Sequence, residues 1–263
     1  LFIRRPRGME LTPAGELIVN RSGMILRQVE DIKSDLFALG GDISGNIVLA
    51  IPPSMVRDFA SRAFQQFMTK FPKVTFRIVT GITGQVAEWL LSAEVDLAVV
   101  YEVSGMEHLK TQALLNEDLF LIGKKDDDFA LDRPIRFKSL SGKKLMMSSI
   151  ENAPRQEIER IASKYQMELN IPFEVDSVMI LKNFVQKGHG YTILPMASVY
   201  QEVKKGTLKA APISAPKPSC RLVLASSPDR PNSVITDYFS EIVREEIKNM
   251  LRQGISVGEQ ITE

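Results

Sequence analysis

The spacing of apolar side chains changes period along the chain, and each change marks an expected element. Leu11, Ile18, Ile25, Ile32 and Leu39 recur every seven residues, and Gly15, Ser22, Val29 and Leu36 follow the first four of them by four. Thr12–Pro13 supplies an N-cap and a first helical position, and Gly40–Gly41 a stop, so one long helix is predicted over 12–39. The seven-residue row is a coiled-coil seam, with Ile18, Ile25, Val29, Ile32 and Leu36 as candidate dimerisation residues. A core helix is the alternative, but no neighbouring segment offers the stripe a partner.

After Gly45 the period shortens. "NIVLAI" (46–51), "VTFRIVT" (74–80) and "VDLAVVY" (95–101) are apolar, β-branched runs of strand length. Between them, 54–71 carries Val56, Phe59, Ala60, Ala63, Phe64, Phe67 and Phe71 on one helical face, and a second helix is expected over 83–92. Strands alternating with helices across short links imply right-handed crossovers and a parallel sheet. The alternation recurs with a strand pair or one long strand at 111–123, strands at 144–149, 173–176, 191–195 and 219–226, and helices at 154–167, 177–187 and 233–251. The tail after Gly254 reads as frayed. The expected class is α/β, with two units flanking a cleft.

Composition changes this picture little. The 263 residues include 33 basic and 32 acidic side chains, a net charge of +1, and one cysteine, Cys220. No run approaches the roughly 20 apolar residues of a membrane span, and no secretory pattern is visible, so a cytoplasmic protein without membrane association is expected. Charge is nonetheless concentrated at the start, where "LFIRRPRG" holds Arg4, Arg5 and Arg7. A nucleic-acid contact, a membrane-surface contact and a solvated terminus all fit such a cluster.

Catalytic signatures are missing. His108 and His189 have no metal-ligand partner at helical spacing, Cys220 sits within an apolar strand, and the three aspartates of "KKDDDF" (124–129) read as a solvated turn. There is no nucleophile elbow, Walker loop or dinucleotide fingerprint. No catalytic residue, metal or cofactor is expected.

Short hydroxyl side chains do gather where strands end. Ser54 follows "AIPP" and is expected to start a helix, where it would cap the helix or share its hydroxyl with an anion. Thr83, Tyr101, Ser148, Ser149 and Ser177 hold equivalent places at other strand ends. If the two units face one cleft, these six are candidate effector-binding residues, and several donors without a strong acid or base point to binding rather than turnover. The expected ligand is a small anion, such as a carboxylate, or a polar metabolite.

With these residues in place, "LFIRRPRGMELTPAG" resembles the wing and following helix start of LysR-type transcriptional regulators, through Leu1, Phe2, Arg4, Arg7, Leu11, Thr12, Ala14 and Gly15. "GNIVLAIPPS", "GQVAEWLLSAEVDLAVVY" and "KGHGYTILP" resemble stations of that family's effector-binding domain, with the first-unit blocks most like the nitrogen-assimilation-control type. The resemblance implies a winged helix-turn-helix cut within its wing (1–11), a linker and dimerisation helix (12–41), and two Rossmann-like subdomains of the periplasmic-binding-protein kind, at 45–117 with 226–253 and at 118–225. The last helix would pack back on the first subdomain. It further implies a homodimer or homotetramer that binds promoter DNA through Arg4, Arg5 and Arg7, contacts RNA polymerase and senses a small effector at Ser54, Thr83, Tyr101, Ser148, Ser149 and Ser177. The rival reading is a solute-binding protein or an enzyme on the same fold.

Overall fold

In the computed structural model, which describes residues 1–6, 8–39, 43–228 and 233–261, the chain opens with an antiparallel hairpin of β1 (Phe2–Arg5) and β2 (Gly8–Leu11). The salt bridge from Arg5 to Glu10, at 3.0 Å, spans its strands. Thr12 caps the next helix as its sequence predicts, its hydroxyl accepting from the Gly15 amide at 3.0 Å. That helix, α1 (Pro13–Leu39), leaves Ile18, Ile25, Val29 and Ile32 exposed to solvent. Arg7, Gly40 and Gly41, and the side chain of Leu36, lie outside the described residues.

The first α/β unit follows the predicted alternation: β3 (Ser44–Ile51), α2 (Phe59–Lys70), β4 (Lys73–Thr80), α3 (Thr83–Leu91) and β5 (Leu97–Tyr101), with β3 parallel to both β4 and β5. β6 (Lys110–Lys124) is one unbroken strand of 15 residues. The second unit contains β7 (Ile135–Arg136), β8 (Lys144–Met147), α4 (Ala153–Lys164), β9 (Asn170–Glu174), α5 (Val178–Gln186), β10 (Thr192–Pro195), α6 (Met196–Lys204) and β11 (Leu208–Ser214). The chain then returns through β12 (Ser219–Ser226) and ends with α7 (Val234–Arg252) and β13 (Gly258–Gln260).

β6 joins the halves by exchanging partners along its length. Its first part, Lys110–Asp118, pairs with β12, and Leu115–Glu117 also pairs with β13. Its second part, from Leu119 on, pairs with β10 and β11. Three expectations are corrected here. β12, expected in the second unit, bonds to β5 along Leu222–Ala225 and so belongs by pairing to the first half of the sheet. The segment after Gly254 is not frayed, because Ile255 and Ser256 are buried and Gly258–Gln260 completes the sheet beside β6. The helix expected from Ser54 begins at Phe59, since Pro52–Pro53 directs the backbone into a turn closed by the Met55 amide on the Pro52 carbonyl.

α7 lies on α2 through a cluster of aromatic rings. Ser233 caps α7 in a reciprocal capping box with Thr236. Phe64 stacks on Phe239 at 5.9 Å, and Phe67 meets Phe71, Phe76 and Phe239. The last helix is thereby fixed to the first unit. A separate apolar cluster around Ile122, Met146, Leu181, Val185 and Val199 lies in the second unit, while Phe137, Leu145, Met147 and Ile158 of that unit join the main core. At Gly258 an added Cβ would collide with the Asn116 carbonyl oxygen. Gly258→Ala is therefore expected to displace β13 and cost about 1–3 kcal/mol, the scale of overpacking, in urea unfolding.

Candidate functional site

The parallel strands β3, β4 and β5 end on one side of the sheet, and the turns that leave them face the ends of β8, β9 and β10 across a cleft. At its centre is a cavity of about 50 Å3 lined by Ser54, Thr83, Tyr101, Ser148, Asn152, Asp176 and Ser198, among others. Two larger hollows, of about 540 and 750 Å3, open elsewhere on the surface, and none of the six predicted hydroxyl residues borders either.

Each lining residue owes its place to a local feature. The double proline turn holds Ser54 half-buried, so its hydroxyl pairs with the Tyr101 hydroxyl at 3.3 Å instead of capping α2. Thr83 opens α3 and is buried. Ser148 follows β8, and its carbonyl accepts from Arg155 Nη1 at 3.1 Å. That buried guanidinium also meets Glu159 and Glu174, so Arg155 braces the strand end and does not line the cavity.

Ser54, Thr83, Tyr101 and Ser148 thus come together, while Ser149 and Ser177 do not line the cavity. The Ser149 amide and hydroxyl both donate to Asp176 Oδ1 at 2.9 Å, which orients that carboxylate. Ser177 is the N-cap of α5, its hydroxyl accepting from the Ile180 amide. Two further lining residues are not among the hydroxyls that the sequence singles out. Asp176 ends "FEVD" and reads as a strand residue, although a carboxylate at a strand end is a usable signal. Ser198 lies in α6, a helix that the sequence pattern does not predict, and its buried Oγ has no hydrogen-bond partner among the described residues.

The electrostatics are mixed. Among the described lining residues Asp176 is the one charged side chain, whereas α3, α4 and α5 all begin at the cavity and direct the positive ends of their dipoles at it. The arrangement accommodates an acidic group near the helix starts and a donor group near Asp176. Beneath the cavity, the Tyr101 hydroxyl donates to Glu117 Oε2 at 2.6 Å. Burial, then the charge of Glu117, raises the Tyr101 pKa well above that of an ordinary tyrosine, so the phenol stays protonated.

One rim is held by contacts between the units. Arg57, in the turn before α2, lies 3.5 Å from Glu202 of α6, Gln201 donates to Asp58 at 3.1 Å, and Lys182 meets the same Glu202 oxygen at 2.9 Å. Burial opposes ionisation of Glu202, but Lys182 and Arg57 outweigh it and hold the carboxyl below its usual range. Partly exposed pairs of this kind contribute about 0–1 kcal/mol each, so the closure is soft.

Nothing among the described residues assembles catalytic machinery. Cys220 is buried, which pushes its thiol pKa far up and leaves little thiolate. His189 is exposed and packs edge-on against Phe184. In the aspartate loop, Asp128 pairs with Arg133 and Asp127 accepts from Tyr191. Among the described residues no helix is long and apolar enough to cross a membrane.

The profile of the LysR substrate binding domain matches residues 40–248. The HTH-type transcriptional regulator BbuR of Bordetella bronchiseptica is 26% identical over 254 residues, covering 97% of this chain and 78% of BbuR. The nitrogen assimilation regulatory protein nac of Escherichia coli K12 is 26% identical over 196 residues, 74% of this chain and 63% of its own length. The regulatory domain of Synechocystis PCC6803 CcmR in complex with 2-PG superposes with a TM-score of 0.69 at 21% identity, covering 78% of this chain and 98% of that domain. These relatives are named as regulators, which removes the rival reading of a solute-binding protein or an enzyme.

Proposed function

From the premise that the chain belongs to the LysR family of transcriptional regulators, whose members bind DNA and small effectors and act as oligomers, we propose that its effector sits between the two α/β units against Ser54, Thr83, Tyr101, Ser148, Asp176 and Ser198. The observation that carries this is the convergence of hydroxyls from both units on one cavity that three helix N-termini also address. The ligand chemistry that fits is a small hydroxy or amino acid, its acidic group toward the helix starts and its hydroxyl or ammonium toward Asp176. A void of about 50 Å3 is filled by a few water molecules, so any such ligand also parts the Arg57–Glu202 rim. Parting or tightening that rim changes how the units sit on β6, and a ligand that favours one arrangement of the oligomer alters DNA bending and contact with RNA polymerase.

Support for the remaining roles comes from α1 and the hairpin. The exposed seam of Ile18, Ile25, Val29 and Ile32 is what a dimerisation helix presents before its partner covers it. Arg4 and Arg5 stand exposed on β1, as phosphate-contacting wing residues do. Arg4→Ala is expected to weaken DNA binding across sequences and to reduce the magnitude of the salt slope by about 1. Binding measured across a salt series checks this, and an unchanged slope removes Arg4 from the interface.

The effector reading is tested by a thermal-shift screen of hydroxy and amino acids, followed by hydrogen exchange with the compound that raises the melting temperature most. Protection is expected at 54–55, 81–83, 148–152 and 176–178. Protection confined to other segments refutes the site.

A further inference from the structure

The Ser54–Tyr101 pair continues inward to a group the proposed effector site does not itself use. Glu117, on β6, is fully buried, with one oxygen held by the Tyr101 hydroxyl and the other, Oε1, without a hydrogen-bond partner among the described residues. Ser256, beside it on the segment leading to β13, is also buried, and its hydroxyl faces the carboxyl closely enough to favour the carboxylate form. From β12 the neighbour is Cys220, opposite Glu117 in the sheet and protonated through burial. Next to it on β6 is Asp118, a like charge already bound to Lys217 at 2.7 Å. No lysine or arginine among the described residues pairs with Glu117. An enclosed carboxylate without a cation resists ionisation, and burial lifts this one to about 7 against the opposing pull of the Tyr101 and Ser256 hydroxyls.

The phenol has a single hydrogen. While Glu117 is a carboxylate, that hydrogen is committed to Oε2, and Tyr101 offers the cleft only lone pairs. When Glu117 takes a proton from solvent, its own O–H donates to the Tyr101 oxygen, and the phenolic hydrogen turns toward Ser54 or the ligand. We infer that Glu117 is a buried proton-binding site that decides whether Tyr101 accepts from or donates to the effector, and so which ligands the cleft takes. The protonated form suits a carboxylate or carbonyl group at Tyr101, and the ionised form suits a hydroxyl or ammonium.

This rests on the cleft being the effector site, so the test is made without ligand and fails separately from that reading. The tyrosine Fermi doublet in the Raman spectrum distinguishes a phenol whose stronger bond is donation to a carboxylate from one whose stronger bond is acceptance from a carboxylic acid. A Tyr101→Phe difference spectrum isolates this residue among the five tyrosines. Carboxyl titration is followed in parallel by infrared spectroscopy of glutamate-labelled protein. The expected result is a Tyr101 signal that passes from mainly accepting to mainly donating as pH rises through about 7, together with loss of a protonated-carboxyl band. Glu117→Gln should abolish both changes. Ser256→Ala leaves the carboxyl in place and should move the midpoint upward, because it removes a hydroxyl that favours the carboxylate. A Tyr101 signal constant across the titration, or a carboxyl that titrates in the ordinary glutamate range, overturns the inference.

Discussion

Phe67→Ala is expected to lower the unfolding free energy by about 3–5 kcal/mol, the range for removing a fully enclosed aromatic ring from a core. Phe67 is 0% exposed and its ring lies 4.1 Å from that of Phe76, 4.8 Å from Phe71, 5.8 Å from Phe239 and 6.1 Å from Tyr238, measured between centroids. Phe71 precedes β4, Phe76 lies on it and the other two lie on α7. The ring therefore joins the helix that follows the Ser54 turn to the last helix of the chain. Its loss leaves a cavity and releases α7 from α2, so the cost exceeds that of the transferred surface alone. Urea unfolding measures the effect, and a loss below about 1 kcal/mol would mean that α7 is not held through this cluster.

The second large effect concerns pH. Glu117 has a folded pKa of about 7, raised from the 4.5 of an unburied glutamate, so between these values the native protein holds a proton that the unfolded chain has released. Stability therefore falls as pH rises through this window. Each pH unit between the two pKa values removes about 1.4 kcal/mol, and above pH 7 the loss totals about 3 kcal/mol. Burial raises Glu246 as well, which adds to the same slope, whereas the lowered Glu202, Glu107 and Asp128 act at lower pH and with the opposite sign. Comparing the wild type with Glu117→Gln isolates the one group. The variant should gain about 3 kcal/mol relative to wild type between about pH 5 and pH 8. Parallel profiles would show that Glu117 ionises normally in the fold.

What was legible in the sequence follows from what each segment buries. β5 and the central parts of β3 and β12 are covered on both faces, so "IVLAI", "LAVV" and "LVLA" are apolar runs that no helix period explains. α7 and α5 carry one-sided apolar stripes with serine caps, and their limits emerged to within a residue. The helix α6 did not, because Pro195 ends β10 and starts the helix with no intervening loop. β11 contains Pro212 and β13 is three residues long, so neither shows a strand period. At the site, Ser54, Thr83, Tyr101 and Ser148 were legible because hydroxyls at strand ends are conspicuous. Ser198 was hidden with its helix. Glu117 was hidden because "NED" (116–118) reads as a solvated polar run, whereas in the fold Tyr101 from β5, Cys220 from β12 and the returning segment before β13 surround it.

We propose above all that a small polar effector binds between the units at the strand-end hydroxyls. The most direct test is calorimetric titration of the metabolite with the largest thermal shift into the wild-type chain and a Ser54→Ala, Thr83→Val double variant. Two lost hydrogen bonds at roughly 0.5–1.5 kcal/mol each predict an affinity reduced by about tenfold or more, with the unliganded melting temperature little changed. Equal affinity for the two proteins would contradict the account.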